Sequence, residues 1–138
     1  MLNTPMSKKS NQASLVTIGW REWLALPELG IPAIKAKVDT GARTSALHAF
    51  QLETFRRNGC KHVRFALHPL RRRNDIVLTC SAMVIDERTV SDSGGHRERR
   101  YVISTPSRLG DQEWPIELTL TDRENMLFRM LLGRTALE

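Results

Sequence analysis

An aspartate, a threonine and a glycine follow a stretch in which apolar and polar residues alternate. Asp39-Thr40-Gly41 comes directly after Ile34–Val38, whose alternation is typical of a half-buried strand. Two carboxylates held close together share one proton, because both cannot ionise. The charged member accepts a proton from water, and the protonated member donates one to a carbonyl oxygen. Asp39 could be one member of such a pair, and the chemistry of the pair would be hydrolysis of an amide bond.

The neighbours of the aspartate suit this chemistry. Gly41 has no Cβ, so the loop can turn tightly and two backbones can approach each other. Thr40 carries a hydroxyl that can form a hydrogen bond across a symmetric contact. Since the tripeptide occurs once in the sequence, we expect a second copy of the chain to supply the second Asp39. Asp-Thr-Gly is also a common turn sequence, so its context must carry the argument.

Two longer segments supply that context. Val38–Ala42 is similar to the catalytic loop of retropepsin-like aspartic proteases. Leu131–Arg134 resembles their second signature, two apolar residues followed by Gly-Arg, which packs behind the catalytic loop before a short helix. The stretches 39–49 and 130–137 resemble the bacterial family named for ATP-dependent zinc proteases. Its members often accompany ATP-grasp ligases that add glutamate to a ribosomal protein.

This resemblance covers roughly residues 15–137 and implies an all-β fold. The expected architecture is the acid-protease (retropepsin-like) closed β barrel of six or seven strands, with a short C-terminal helix. The resemblance implies a homodimer in which Asp39, Thr40 and Gly41 of each chain form the catalytic loop. Retropepsins usually continue into a final strand that builds the dimer sheet, whereas this sequence stops at Glu138.

A flap is a further implication of the resemblance. It would be a hairpin between Asp39 and Gly133 that closes over the substrate. The Gly94-Gly95 turn is the candidate tip, because paired glycines allow the hinge motion that a lid needs.

Arg43 and His48 have no counterpart in the retropepsins of viruses. Close to the carboxylate pair, Arg43 would favour the ionised form of Asp39. It could equally bind an acidic side chain of a peptide or protein substrate through two parallel hydrogen bonds. A structural salt bridge to another loop is the alternative interpretation of Arg43.

Length and composition indicate a single ordinary domain. The chain has 138 residues, of which 41% are hydrophobic and 26% charged. We expect residues 1–14 to be a disordered N-terminal segment and residues 15–138 to form the retropepsin-like domain. No apolar run approaches the ~20 residues of a spanning helix, so we expect no membrane segment. No secretory signal is recognisable and only two cysteines occur, which favours a cytoplasmic location.

The remaining pattern is of short strands separated by turns. Asn58-Gly59 is a strong hairpin signal, and Pro106 is expected to end a strand. Cys80 is expected to be a buried structural thiol, and Cys60 to lie near the turn. Several strands at short spacing predict a small β barrel. The segment 124–132 could be either a helix or a strand. The first predicted strand is 15–20, which could continue to residue 26. The others are 34–38, 46–55, 62–67, 76–85, 100–104 and 114–121.

The chain is basic, with a net charge of +6 and a sequence pI of about 10.0. Arginine clusters lie at residues 56–57, 71–73 and 97–100. These clusters either lie on solvated loop ends and strand faces or form a surface that attracts an anionic partner. The second interpretation supports an alternative function: a non-catalytic binding module whose basic surface holds an acidic protein, a ribosome or RNA.

Other chemistries find less support. The four histidines form no His-Glu-x-x-His pair and no Cys-x-x-Cys occurs, so we predict no metal site and no cofactor, although the family name mentions zinc. Cys60 and His62 would share one face of a strand with nothing obvious to complete a site. Ser45, His48 and Asp39 offer the residue types of a serine triad, but neighbours on one loop rarely converge. No phosphate-binding glycine-rich loop is present, so any ATP dependence would belong to a partner such as the ligase.

Overall fold

The computed structural model describes residues 21–39, 41–70, 75–91, 94–122 and 129–137. Strands dominate this part of the chain, and two short 3-10 helices span Pro27–Leu29 and Arg134–Leu137. The strands are β1 Arg21–Leu26, β2 Ile31–Val38, β3 Ser45–His48, β4 Phe50–Arg57, β5 Cys60–Leu67, β6 Leu78–Ser91, β7 Arg97–Leu109, β8 Gln112–Thr121 and β9 Met130–Leu132.

These strands form one sheet in the order β1-β2-β9-β3-β8-β7-β6-β5-β4. β1 also pairs with β7, where Ala25 lies opposite Arg108, so the first six strands of that order close into a barrel. The predicted closed β barrel is therefore confirmed. β6 continues the sheet beyond the barrel, and β5 and β4 follow it. We call β4, β5 and the Leu78–Met83 part of β6, which pairs with β5, the extension.

Burial follows the alternation of the sequence. In β2, Ile34, Ala36 and Val38 are buried while Lys37 is exposed, as the pattern predicts. Burying each large apolar side chain contributes about 1.5–3 kcal/mol, so the buried core, which includes side chains of β5, dominates the stability. The largest fully buried side chains are Leu24, Leu26, Ile31, Ile34, Leu47, Phe65, Leu67, Ile103, Leu118, Leu120, Met130 and Leu132.

The Asn58-Gly59 hairpin joins β4 to β5 as predicted. Both residues have positive φ, 53° and 78°, the combination that two-residue hairpin turns require. Cys60 follows this turn and is exposed. Cys80 is the buried thiol that the sequence predicted: its Sγ donates to the Leu29 carbonyl oxygen at 3.2 Å. Burial raises the pKa of the Cys80 thiol to about 11.

The expectation that Pro106 ends a strand is wrong. β7 continues through it to Leu109, because Pro106 lies opposite Pro115 of β8. Neither proline has a backbone N–H. The two can lie opposite each other because residues of a non-hydrogen-bonded pair in an antiparallel ladder exchange no N–H···O bonds. On its other edge, β7 pairs with β6 only up to Ile103 and meets β1 only at Arg108, so Pro106 interrupts no other ladder.

Several expectations fall outside the described residues: the disordered segment 1–14, the strand at 15–20 and most of the open stretch 124–132. Within that stretch, Met130–Leu132 is a strand. The helix expected after Gly133 is the 3-10 helix Arg134–Leu137. The described part of the chain contains no helix long and apolar enough to span a lipid bilayer. The proposed boundary between residues 14 and 15 stays a prediction.

Candidate active site

Asp39 lies where β2 leaves the sheet. β2 runs parallel to β9, with Val38 paired to Leu132, and the Asp39 amide donates to the Leu132 carbonyl oxygen at 2.9 Å. The Ala42 amide donates to the Asp39 carbonyl oxygen at 3.1 Å, which closes the turn. Two strands thus fix the position from which the half-buried Asp39 side chain projects.

The carboxylate itself is oriented within the loop. The Gly41 amide donates to Asp39 Oδ1 at 3.0 Å. A Cβ at position 41 would lie 3.3 Å from the same oxygen, which is a tight contact. Glycine therefore allows the short approach between amide and carboxylate that the sequence analysis ascribed to it. Thr40 lies outside the described residues.

Gly133 packs against the back of this loop. A Cβ on Gly133 would lie 2.5 Å from both the carbonyl carbon and the carbonyl oxygen of Thr44, so only glycine fits. The Gly133 amide donates to Ser45 Oγ at 3.0 Å in the buried interior. The second signature of the sequence thus lies directly behind the Asp39 loop, as the resemblance implied.

The C-terminal 3-10 helix holds the residues that follow Asp39. The Arg134 amide donates to the Ala42 carbonyl oxygen at 2.7 Å. The amide and the hydroxyl of Thr135 both donate to the Arg43 carbonyl oxygen, at 3.2 and 2.9 Å. Trp114 Nε1 donates to the Ala136 carbonyl oxygen at 2.9 Å and anchors the helix on β8. The residues after Asp39 are therefore held by the C-terminal 3-10 helix, which is itself anchored on β8.

Arg43 is exposed beside a groove of about 710 Å³. Its guanidinium makes no ion pair with any described residue, so the alternative of a structural salt bridge finds no support in this part of the chain. Arg88 also lines the groove, and it donates to Asp86 at 2.9 Å and to Glu117 at 3.0 Å. The groove is lined by Arg43, Thr44, Arg88, Pro115, Ile116, Glu117, Thr135 and Ala136.

Gly94 and Gly95 lie in the connection between β6 and β7 and are exposed. Gly95 has φ +83°, a conformation that favours glycine. The two long strands of this hairpin precede β8, so the turn has the chain position that a flap tip would have. Its role as a flap stays a prediction.

The structure separates the residues of the hypothetical serine triad. Ser45 Oγ is engaged by the Gly133 amide. His48 lies three residues further along β3, about 10 Å away for extended backbone. Its contacts are with Asp122, where Nε2 is 3.7 Å from Oδ1, and with Arg129, where Nη1 is 3.3 Å from Nδ1.

The described residues do not fit a zinc ion either. Nowhere in the described ranges do three or more His, Cys, Asp or Glu side chains gather in a metal-binding arrangement. Cys60 is exposed, and His62 Nδ1 contacts the Cys60 carbonyl oxygen at 3.1 Å rather than joining a ligand set with its thiol. The His62 ring instead stacks on Phe55.

The sequence analysis missed two features around the site. Ser45 serves as a hydrogen-bond acceptor for Gly133, a contact between residues 88 positions apart for which no local signal exists. His48, Asp122 and Arg129 form a cluster where β3, β8 and β9 meet. Because arginine only donates, His48 Nδ1 must accept and Nε2 carries the proton. Burial and the neighbouring Arg129 lower the pKa of His48, against a smaller opposing effect of Asp122.

The closed barrel, the loop carrying Asp39 and the Gly-Arg segment behind it define a retropepsin-like domain. A sequence model of the RimB-like family, described as retropepsin-like aspartic endopeptidase RimB, matches residues 17–138. The chain therefore belongs to the RimB-like family.

Relatives in several bacteria are named as ligases and are longer than this chain. The chain is 50% identical over 120 residues to a probable alpha-L-glutamate ligase of Shewanella pealeana, and 52% identical over 120 residues to one of Desulfotalea psychrophila. Each match covers 87% of this chain but 26% of the relative. The chain thus spans about a quarter of the length of these relatives.

A solved structure has the same fold. The crystal structure of Lpg0085, a protein of unknown function from Legionella pneumophila, superposes with a TM-score of 0.71. The two chains are 26% identical, and the match covers 86% of this chain and 84% of the other.

Proposed function

We propose that the chain is one half of a homodimeric aspartic peptidase, in which two copies of Asp39 hydrolyse a peptide or other amide bond. The observation that carries this proposal is the presentation of Asp39. Its carboxylate is half-buried, oriented by the Gly41 amide and mounted where two barrel strands end. One such carboxylate is half of the acid–base pair that the reaction needs, and a two-fold axis supplies the other half.

In this proposal the two carboxylates act as a unit that holds one proton. The ionised Asp39 accepts a proton from water, which attacks the carbonyl carbon of the substrate. The protonated Asp39 donates to the carbonyl oxygen, which becomes a hydroxyl of the tetrahedral intermediate. The carboxyl that took the proton from water passes it to the leaving nitrogen as the C–N bond breaks, and a hydroxyl of the intermediate returns its proton to the other carboxylate, which restores the shared proton. The Gly41 amide keeps Asp39 Oδ1 in place, so the second oxygen has a defined direction throughout.

We further propose an acidic substrate. Arg43 is exposed directly after the catalytic loop and has no described acidic partner, so it can bind a carboxylate. The groove of about 710 Å³ beside it offers room for side chains of an extended peptide. The relatives named as glutamate ligases support a setting in which this chain acts on glutamate-bearing protein together with a ligase partner. Zinc and ATP have no assigned role for this chain, and we place the reaction in the cytoplasm.

The test compares Asp39→Asn with Asp111→Asn, a matched control in the exposed turn between β7 and β8. Both variants and the wild type are incubated with a pool of glutamate-rich peptides and with the same pool carrying glutamine instead. We expect Asp39→Asn to lower turnover by about 10²-fold or more, since a positioned acid–base group contributes that much. Asp111→Asn should match the wild type. Equal turnover by all three proteins would remove Asp39 from the mechanism.

Subunit mixing tests the dimer. Adding excess Asp39→Asn protein to a fixed amount of wild type should lower turnover, because wild-type chains are drawn into mixed pairs with one carboxylate missing. Asp111→Asn protein added in the same way should not lower it. Undiminished turnover across the whole titration with Asp39→Asn would contradict the shared site.

Because the chain is basic, the same experiments also test the alternative function, a non-catalytic binding module. If wild type and Asp39→Asn both bind the acidic pool and neither turns it over, the non-catalytic alternative holds. RNA in place of the peptides would then show a steep loss of affinity with added salt.

A further inference from the structure

A polar chain of hydrogen bonds begins near the Gly94-Gly95 turn at the partly exposed Glu98 and continues into the buried interior. Glu98 and Arg100 lie at the start of β7, and Arg100 Nε donates to Glu98 Oε1. Thr121 Oγ1 of β8 donates to the same carboxylate oxygen at 2.9 Å. The Arg100 side chain is only 9% exposed, and the Glu98 carboxylate that pairs with it is 43% exposed. The beginning of the hairpin strand is thus tied to the end of β8.

The polar chain continues towards the catalytic loop. Arg100 Nη1 donates to Thr119 Oγ1 at 3.4 Å, and Thr119 Oγ1 donates to the Ser45 carbonyl oxygen at 3.1 Å. Ser45 Oγ in turn accepts from the Gly133 amide, and Gly133 lies against the Thr44 backbone. Hydrogen bonds therefore connect the base of the hairpin with the glycine behind Asp39.

The direction of each bond is fixed by the donor and acceptor inventory. Arginine only donates, so Thr119 Oγ1 must accept from Arg100 and must give its single proton to Ser45. Thr119 and Ser45 are each 1% exposed, so water does not compete for these bonds. Thr119 holds the Ser45 backbone through its carbonyl oxygen, and the Ser45 side chain in turn holds the Gly133 amide, so the two bonds are linked by the position of Ser45.

We propose that Glu98 and Arg100 are positioning residues that set the Gly133 amide, and through it the Asp39 loop, by way of Thr119 and Ser45. A stabilising role alone would be met by apolar side chains at the same places, often without loss of stability. An arginine–carboxylate pair instead requires one geometry. The structural part of the proposal stands without catalysis, whereas its effect on turnover rests on the proposed peptidase function.

Hydrogen exchange of the Gly133 amide is the direct readout, measured on the full chain together with its global stability. Thr119→Val removes the relay hydroxyl at nearly constant volume. Thr105→Val is the matched control, because Thr105 is similarly buried on β7 but its hydroxyl contacts, among the described residues, the Pro106 carbonyl oxygen at 3.5 Å. We expect Thr119→Val to accelerate Gly133 exchange about fivefold beyond any change in global stability. Thr105→Val should not do so, and Thr119→Ser should restore the wild-type rate.

Glu98→Gln tests the far end of the polar chain. It keeps the shape of the side chain, touches neither Ser45 nor Gly133, and should still accelerate exchange at Gly133. If Glu98→Gln and Thr119→Val change Gly133 exchange only as much as they change global stability, the proposal is overturned. Where wild type turns over peptide, both variants should lower kcat with KM nearly unchanged. Absence of turnover in the wild type would reject the peptidase proposal while the exchange result still decides the positioning one.

Discussion

The site region, meaning the Asp39 loop and the Gly133 segment behind it, and the extension belong to one sheet but are held by different contacts. Around Asp39, the close packing contact is between backbones, since Gly133 lies against Thr44, and strands β2 and β9 meet at the aspartate. On the outer face of the extension, the contacts are instead between side chains. Phe55 stacks on His62, and Arg64 binds Glu53 at 2.9 Å where both side chains are at least half exposed.

This difference predicts unequal tolerance to substitution. A backbone contact in the interior has no side chain that can move aside, so a single added carbon disturbs both strands. Side chains on an exposed face can change rotamer, and water replaces the partners they lose. The site region should therefore be intolerant, and the outer face of the extension tolerant, although both belong to the same sheet.

The largest expected effect is that of Gly133→Ala. Its Cβ would lie 2.5 Å from the Thr44 carbonyl group, so we expect a loss of about 3 kcal/mol or more in the free energy of unfolding. Gly59→Ala is the counterpart in the extension, where φ is +78° and the space around the new Cβ is empty. Its cost should be about 1 kcal/mol, from backbone conformation alone. Urea unfolding of both variants measures the difference, and similar losses would contradict the contrast.

Ser45→Ala should have the next largest effect. It leaves the buried Gly133 amide without its acceptor, which costs about 1–3 kcal/mol. Ser81→Ala, on the exposed face of β6, should change stability by less than about 0.5 kcal/mol. Thermal unfolding with both variants under one buffer condition provides the measurement. A Ser45→Ala protein as stable as the Ser81→Ala protein would show that the site region relaxes more easily than we infer.

His48 should make the free energy of unfolding depend on pH. Its pKa is lowered in the folded chain, so the unfolded chain binds the proton more readily. The contribution of His48 is therefore fully present above the unfolded pKa of about 6.5 and is lost as the pH falls from there through the lowered folded value. His48→Gln should reduce the slope of stability against pH between about pH 7 and 5. His62→Gln in the extension is the control, and an equal change of slope in both variants would argue against the buried cluster as the cause.

The smallest effect is expected at the exposed ion pair of the extension. Glu53→Gln removes the partner of Arg64 where the two side chains are 70% and 50% exposed. Such pairs contribute about 0–1 kcal/mol, and the contribution decreases with salt. Urea unfolding at low and high ionic strength should show a small difference that disappears at high salt. A loss as large as that of Ser45→Ala would mean that the outer face is not tolerant.

Much of the fold could be predicted from the sequence because its signals are local. Alternation identified β2 and β8, and the Asn58-Gly59 pair identified the β4–β5 hairpin. The prolines misled the strand prediction at Pro106, since a single strand does not reveal that its neighbour carries Pro115 at the opposite position. The extension beyond the barrel was not expected, because a strand outside the barrel alternates in the same way as one inside it.

The candidate site shows the same difference between local sequence signals and contacts that depend on the tertiary structure. The sequence by itself determined which residues could do chemistry, because Asp39, Gly41 and Gly133 are read from residue types and a spacing that resembles a known family. Only the tertiary structure decided what holds them: the Thr44 backbone against Gly133, Ser45 as an acceptor, and the polar chain from Glu98. The physical reason is distance along the chain. Contacts between residues 88 positions apart depend on how the sheet is ordered, and no local pattern encodes that order.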